Sequence, residues 1–84
     1  MPYITQEARG QLLSGDRMSE TAGELNYMFS ILAGTYWAEH PNYQGINDIV
    51  GALEGAKAEF QRRIVAPYED IKIVVNGDVY ATQG

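Results

Sequence analysis

The sequence predicts a mainly α-helical protein built around an antiparallel helical hairpin, in a single domain of residues 1–84. Two long segments have apolar residues at helical spacing, and only residues 40–42 connect them. A chain of this length buries only about 60% of the surface that its unfolded form exposes. We therefore expect the long helices to associate with further copies of the chain, giving a dimer or a higher homo-oligomer.

A short first helix is predicted over residues 5–13. Thr5 can cap its N-terminus, and Glu7 lies in the first turn, where the helix dipole favours an acid. Leu12 and Leu13 are its only large apolar side chains, so this helix needs the rest of the fold for stability. The Ser-Gly-Asp run that follows predicts a break.

A second helix is predicted over residues 21–39. Ser19 is expected to cap it, with Glu24 near the positive end of its dipole. Pro41 disfavours helical geometry at His40 and therefore ends the helix. One helical stripe contains the apolar side chains Leu25, Met28, Phe29, Leu32 and Tyr36.

Asn42 is expected to cap the third and longest helix. The apolar residues of this helix recur in steps of three and four, which is typical of a coiled-coil seam. Gly45, Gly51 and Gly55 would let another backbone come close, at a cost in intrinsic helix propensity. The seam contains Ile46, Ile49, Val50, Leu53, Ala56, Phe60 and Ile64.

Two structures remain open for the end of the chain. Pro67 either kinks the third helix or begins a new one, which Asn76 and Gly77 would end. Residues 71–75 are rich in β-branched side chains, however, and Asn-Gly is also a strong signal for a two-residue β-hairpin turn. The C-terminal appendage is therefore predicted as a short helix or a β-hairpin within residues 67–80.

The charge balance excludes one class of partner. Six basic residues face eleven acidic ones, giving a net charge of −5, and such a chain repels duplex nucleic acid. Four of the six cations nevertheless lie between Lys57 and Lys72. This local excess either holds a small anion or forms a solvated helix face with ion pairs such as Glu59 to Arg63.

The sequence contains no pattern typical of catalysis. It has no cysteine, and its one histidine, His40, lies at a predicted turn. The metal-ligand spacings and the phosphate-binding glycine loop of known motifs are missing as well. We therefore expect neither an enzyme nor a cofactor or metal. No segment reaches the roughly 20 apolar residues of a membrane span, and the opening residues lack signal-peptide features, so we expect a cytoplasmic protein.

The remaining candidates point to binding. Six tyrosines in so short a chain suit subunit interfaces and stacking on nucleobases. Arginine at the edge of a helical seam suits bidentate contact with phosphate or carboxylate. Side chains expected to bind a small anionic, nucleotide-like ligand are Asn26, Tyr27, Arg62, Arg63, Tyr68 and Lys72.

Three motifs occur in a fixed order along the chain: GELNY at residues 23–27, RRIVAPYED at 62–70 and NGDVY at 76–80. Together with the opening MPYI, they resemble a family of small uncharacterised proteins encoded by tailed bacteriophages and prophages. The resemblance covers most of the chain, but residues 73–75 are Ile-Val-Val, where that family usually has more polar, helix-favouring residues. It implies an accessory protein that acts in the cytoplasm of an infected bacterium.

Three functions are compatible with these expectations. The first is an anti-defence protein, a homo-oligomer that sequesters a small nucleotide signal in pockets between its subunits. The second is an acidic protein–protein inhibitor or adaptor that docks on a basic host protein. The third is a minor component of the virion.

Overall fold

The computed structural model describes residues 1–80, and within them the chain is helical and contains no strand. The predicted mainly α-helical class is therefore confirmed. A π-helical segment, Gln61–Val65, joins the last two helices without a break. The α-helices are α1 (Gln6–Ser14), α2 (Ala22–Glu39), α3 (Tyr43–Phe60) and α4 (Ala66–Asn76).

The first helix forms as its sequence predicts. The Thr5 hydroxyl accepts a hydrogen bond from the backbone N–H of Ala8 at 3.1 Å and caps α1. Gly15 ends the helix with φ 82°, a left-handed conformation that favours glycine. Leu12 is only 5% exposed and anchors α1 in the core.

The second helix begins at a different cap from the one predicted. Thr21, not Ser19, accepts a hydrogen bond from the backbone N–H of Glu24 at 3.1 Å. The Glu24 carboxylate reaches back to the backbone N–H of Glu20 at 2.9 Å. Thr21 and Glu24 thus form a variant of the capping box, which has a Glu or Gln three residues after the cap. Ser19 has Ala22 at that position, and the prediction of Ser19 was wrong for this reason.

The connection between α2 and α3 depends on a glycine. The Asn42 side chain accepts a hydrogen bond from the backbone N–H of Gly45 at 2.8 Å, which confirms the predicted cap. A Cβ atom at Gly45 would overlap the carbonyl oxygen of His40. Gly45 therefore admits a backbone of its own chain, whereas a Cβ at Gly51 or Gly55 would meet open space. Within one chain, a close approach is thus found at Gly45, and the expectation for the other two glycines stays a prediction.

One side-chain hydrogen bond links α2 to α3 near their connection. The Tyr36 hydroxyl donates to the Asp48 carboxylate at 2.7 Å, while the Tyr36 ring stacks on the His40 ring at a centroid distance of 4.2 Å. Asp48 also accepts a hydrogen bond from Gln44 at 2.7 Å. These contacts fix the ends of the two helices at the connection, and the antiparallel packing of the helices along their length stays a prediction.

Of the two structures predicted for the end of the chain, the helix is the correct one. Pro67 is the second residue of α4 and has no N–H to donate. Its ring would also collide with the carbonyl four residues earlier in a regular α-helix, and the π segment widens the helix at that point. The backbone N–H of Ala66 accordingly bonds to the carbonyl of Gln61, five residues back. Gly77, with φ 87°, ends α4 where the alternative placed a hairpin turn.

The chain divides into two compact units, Met1–Ile49 and Val50–Gly84, and the division falls within α3. The first unit contains the buried side chains Leu12, Glu24 and Tyr27. In the second unit, every described residue from Val50 to Tyr80 is exposed except Val65, which is half-buried. None of the helices in residues 1–80 has the length and apolar character that crossing a bilayer requires.

The apolar seam of α3 continues into α4 and is exposed along the second unit. Phe60 is 59% exposed and Ile71 is 62% exposed. A helix with an apolar stripe normally buries that stripe against another element. We call the exposed residues Leu53, Ala56, Phe60, Ile64, Tyr68 and Ile71 the apolar stripe.

Candidate functional site

Arg62 and Arg63 lie on the π segment and share one carboxylate. Arg62 forms an ion pair with Glu59 at 2.7 Å, and the nearest nitrogen of Arg63 is 3.9 Å from the same carboxylate. The two arginine side chains are nevertheless 69% and 67% exposed. Exposed ion pairs of this kind are weak, because water screens both charges. An arriving phosphate can therefore compete with Glu59 for either guanidinium.

Tyr68 and Lys72 lie one turn apart on α4 and contact each other. The Lys72 ammonium is 5.4 Å from the centroid of the Tyr68 ring, within the range of a cation–π interaction. This contact occupies one face of the phenol, while the side chain as a whole remains exposed. Tyr68 therefore keeps apolar surface available for stacking, next to a cation suited to phosphate.

Asn26 and Tyr27 belong to α2, in the first unit, and differ in exposure. Asn26 is exposed, and its backbone carbonyl oxygen accepts a hydrogen bond from the Ser30 hydroxyl at 3.0 Å. Tyr27 is only 9% exposed, and the Arg9 guanidinium lies over its ring at 5.4 Å. Asn26 is therefore accessible to solvent, whereas Tyr27 is largely covered by its own chain, and ligand binding by either residue stays a prediction.

A cavity of about 240 Å³ lies beside the buried ring of Tyr27 and is lined by Pro2, Tyr3, Arg9, Tyr27 and Ser30. The Arg9 side chain is positioned by a hydrogen bond from its Nε to the backbone carbonyl of Ile4 at 3.0 Å. Among the described residues, no carboxylate forms an ion pair with Arg9. The cavity thus combines a cation, two phenols and a hydroxyl, groups that suit a small planar anion.

Sequence reasoning missed Arg9 because no local pattern relates it to Tyr27. The two residues belong to different helices, and only the packing of α1 on α2 brings them together. Gly23 was the one local indication that another segment packs close to this part of α2. A Cβ at Gly23 would lie 2.9 Å from the carbonyl oxygen of Met1, so this position admits the N-terminal segment close to the first turn of α2. The same segment contributes Pro2 and Tyr3 to the cavity.

The structure therefore places the predicted ligand residues in two groups, each within its own unit. Asn26 and Tyr27 lie on α2, and both contact cavity residues. The second group lies on the π segment and α4. In it, both arginines lie near the Glu59 carboxylate, and the tyrosine and the lysine form a cation–π contact with each other. We call this second group the cationic group, and its members are Arg62, Arg63, Tyr68 and Lys72.

The strongest electrostatic interaction in the first unit is the ion pair of Arg17 with Glu24, which stabilises the fold. Hydrogen bonds from the Arg17 guanidinium, with a further one from the backbone N–H of Glu20, lower the pKa of Glu24 to about 2. The hydrogen bond from Tyr36 likewise lowers the pKa of Asp48, and the same bond raises the pKa of Tyr36. All of these groups are engaged with one another, so they do not form a ligand site.

Comparison with protein families identifies one match to this chain. The sequence model described as domain of unknown function DUF6899 matches residues 1–79. The chain belongs to the DUF6899 family. Comparison with curated proteins and with solved structures finds no match.

The DUF6899 match covers both candidate sites. Residues 1–79 include the cavity beside Tyr27 and the whole cationic group on the π segment and α4. The family description assigns no activity. The function of this DUF6899 chain must therefore be inferred from the geometry and charge of its own residues.

Proposed function

We propose that this DUF6899 protein is a non-enzymatic homo-oligomer that sequesters a small anionic, nucleotide-like signal molecule in pockets between its subunits. In the setting implied by the phage resemblance, it acts in the cytoplasm of an infected bacterium and counters host defence. One observation carries the proposal: the exposed apolar stripe of the second unit, which includes Tyr68, runs beside exposed arginine and lysine side chains.

The apolar stripe supports the oligomer. A lone helix is marginal in water, because its backbone hydrogen bonds barely offset the loss of conformational entropy. Burying one large apolar side chain contributes roughly 1.5–3 kcal/mol. Leu53, Phe60, Ile64 and Ile71 are each between 46% and 62% exposed, so joining copies would bury a large part of their surface. Association of the copies would then stabilise the helix and, at the same time, exclude water from the apolar stripe.

The cationic group supports an anionic ligand. The guanidinium groups of Arg62 and Arg63 suit bidentate contact with phosphate, and Lys72 adds a third cation. Tyr68 offers an aromatic surface for a base, and Asn26 offers an amide that can read the edge of a base. In the same proposal, Tyr27 contributes through the cavity that it lines. Each charge-assisted contact contributes on the order of 1.5–3 kcal/mol, so the three cations of the second unit can together give useful affinity.

The oligomer is tested by measuring molar mass with light scattering at micromolar concentration. We expect a mass above that of one chain for the wild type and dissociation for Phe60→Glu, which places a charge in the centre of the stripe. Val79→Glu is the matched control, because Val79 is 89% exposed and lies beyond α4. A wild-type protein that remains a stable monomer would refute the proposal.

The ligand is tested by following the melting temperature with a panel of cyclic dinucleotides, cyclic trinucleotides and cyclic ADP-ribose isomers. At least one compound is expected to raise the melting temperature. Arg62→Ala and Arg63→Ala should each weaken its binding roughly ten- to a hundredfold, as expected for one lost charge-assisted contact. Arg62→Lys is the charge-matched control and should lose less. If no compound shifts the melting temperature, the sequestration proposal fails even when the oligomer is present.

A second candidate function is favoured by the ion pairs of Glu59. Both arginines lie near this carboxylate, so their role can be to stabilise the helix through ion pairs. The binding surface is then the acidic surface of a chain with net charge −5. In that case the protein is an inhibitor or adaptor that docks on a basic host protein. Capture of one host protein that weakens with salt and with loss of carboxylates, but not with Arg62→Ala, would support this alternative.

A further inference from the structure

We infer that the cavity beside Tyr27 binds a small aromatic carboxylate, and that Arg9 and Tyr27 recognise the anionic end of this ligand. The lining residues all belong to the first unit, so the site is complete within one chain. The inference therefore goes beyond the proposed function, and it depends neither on the oligomer nor on the cationic group.

Arg9 is a half-buried cation without a counterion among the described residues. The other arginine of the first unit, Arg17, pairs with Glu24 at 2.6 Å. No carboxylate within residues 1–80 pairs with Arg9 in this way, although the chain as a whole has net charge −5. A partly buried charge has lost part of its hydration, so an anion that enters beside it is attracted more strongly than in open water.

The Arg9 guanidinium is held in place through one of its three nitrogens. Nε donates to the backbone carbonyl of Ile4 at 3.0 Å, and the group lies over the Tyr27 ring at 5.4 Å. The nitrogens Nη1 and Nη2 donate to no residue within 1–80. Together they form a planar fork that matches the two oxygens of a carboxylate. Because Nε already fixes the side chain, little rotamer freedom is lost when an anion binds.

The Tyr27 hydroxyl is a second donor at the same cavity. Tyr27 is only 9% exposed, and a buried tyrosine hydroxyl usually has a hydrogen-bond partner. Within residues 1–80, the one tyrosine hydroxyl that bonds to another side chain is that of Tyr36. Because Tyr27 lines the cavity, a ligand with acceptor oxygens there would supply the partner that the protein does not.

The volume of the cavity limits the ligand to about one ring. The cavity has about 240 Å³, whereas sites for drug-sized ligands have about 300–1,000 Å³. A cavity of about 150 Å³ is enough for one benzene molecule. A six-membered ring with one carboxylate therefore fits, and a whole cyclic dinucleotide does not. Pro2, Tyr3 and Tyr27 all have ring side chains, which suit packing against a flat apolar body.

Charge favours a carboxylate over a phosphate in this cavity. Arg9 is the one cationic side chain of the lining, so a monoanion balances it. A phosphate monoester has a charge of about −1.5 to −2 at pH 7. The second negative charge would remain unbalanced in a chain that is already acidic. The carboxylate is also planar, as is the guanidinium fork.

The site can be tested by NMR titration of the full chain with benzoate, using benzamide as a neutral ligand of the same shape. We expect benzoate to shift the backbone amide signals of Arg9, Tyr27 and Ser30 in a saturable way, with a Kd of about 1 mM, as is usual for so small a ligand. Benzamide should bind at least about tenfold more weakly. Equal binding of the two compounds, no saturation with benzoate, or shifts only at other residues would overturn the inference. Tighter binding of phenyl phosphate would do so as well, since the cavity would then recognise a phosphate.

Tyr27→Phe separates ligand recognition from folding. It removes the hydroxyl and keeps the ring, so the melting temperature should change little while the Kd of benzoate rises roughly three- to tenfold. Tyr43→Phe is the matched control, because Tyr43 is 83% exposed and lies outside the cavity, and it should leave the Kd unchanged. Arg9→Lys keeps the charge but loses the planar fork, and we expect a rise in Kd of roughly tenfold. An unchanged Kd for both Tyr27→Phe and Arg9→Lys would overturn the inference.

Failure of this site and failure of the proposed function are distinguishable. A monomeric wild type, or a nucleotide panel without effect, would defeat the proposed function and would not alter the benzoate titration, because the cavity lies within one unit. An oligomer that responds to a nucleotide but shows no saturable benzoate binding would overturn this inference alone.

Discussion

Arg17 and Glu24 form a two-point ion pair that ties the segment after α1 to the first turn of α2. Arg17 Nη1 lies 2.6 Å from Glu24 Oε1, and Nη2 lies 2.8 Å from Oε2. The same guanidinium donates from Nε to the side chain of Gln11 in α1 at 2.8 Å. Glu24 also completes the N-terminal cap of α2. This ion pair therefore stabilises both the packing of α1 against α2 and the first turn of α2.

We expect Glu24→Gln to lower the melting temperature of the protein by several degrees. The amide keeps the shape of the side chain, but it loses the negative charge and one of the two oxygens that accept hydrogen bonds from Arg17. Glu20→Gln is the matched control, because the Glu20 side chain is 69% exposed and its contact with Arg17 is a single one at 3.1 Å. Thermal unfolding followed by circular dichroism measures both variants. Equal losses would show that the two-point geometry is unimportant.

The same carboxylate predicts a pH dependence. The folded pKa of Glu24 is lowered to about 2, chiefly by the hydrogen bonds from Arg17, whereas the pKa of glutamate in an unfolded chain is about 4.3. A lowered folded pKa contributes stability that is fully present above the unfolded value and is lost as the pH falls toward 2. Melting temperatures of the wild type and Glu24→Gln should therefore differ at pH 7 and converge between pH 4 and pH 2. A constant difference would contradict the assignment.

Two glycines in α3 should respond in opposite ways to alanine. Gly45→Ala is expected to destabilise the protein, since a Cβ there overlaps the carbonyl oxygen of His40. Gly51→Ala should stabilise it by up to about 1 kcal/mol, because the position is open and alanine favours helix. Chemical denaturation measures both variants. If Gly51→Ala instead weakened the oligomer, another chain would have to approach at that glycine, away from the apolar stripe.

Pro67→Ala should separate helix stability from association. Alanine restores the backbone N–H and removes the ring clash, so we expect higher helix content and a regular α-helix in place of Gln61–Val65. The apolar stripe spans eighteen residues in five steps, which is the period of a regular α-helix, so the stripe should stay on one side of the helix and self-association should be retained. Circular dichroism and sedimentation equilibrium report the two effects. Loss of association together with higher helicity would show that the π segment is needed to align the stripe.

Local patterns predicted the helices well because their signals are local. Thr5, Gly15, Pro41 and Asn42 each act within a few residues of a helix end, and each acts as expected. The choice between Ser19 and Thr21 required one more local feature, the acid at the third helical position, and the prediction failed where that feature was not used.

The candidate site was only partly predictable. The clustering of cations between Lys57 and Lys72 is visible in the sequence, and the structure places Tyr68 against Lys72 as a helical turn requires. The cavity beside Tyr27 was not predictable, because it depends on Arg9 and the N-terminal residues that cover the ring. Nothing near Tyr27 in the chain signals which distant side chain will reach it.

Short-range chemistry was sufficient to determine that this protein is helical, where most of its helices begin and end, and that its long helix has an apolar seam flanked by charges. Helix formation is governed by capping, spacing and proline, all of which act within one or two turns. Tertiary structure alone decided that Arg17 joins Glu24, that Tyr27 is buried and that Gly45 faces a backbone carbonyl. Those contacts depend on how separate segments pack, and packing is set by shape and charge across distances that no local pattern describes.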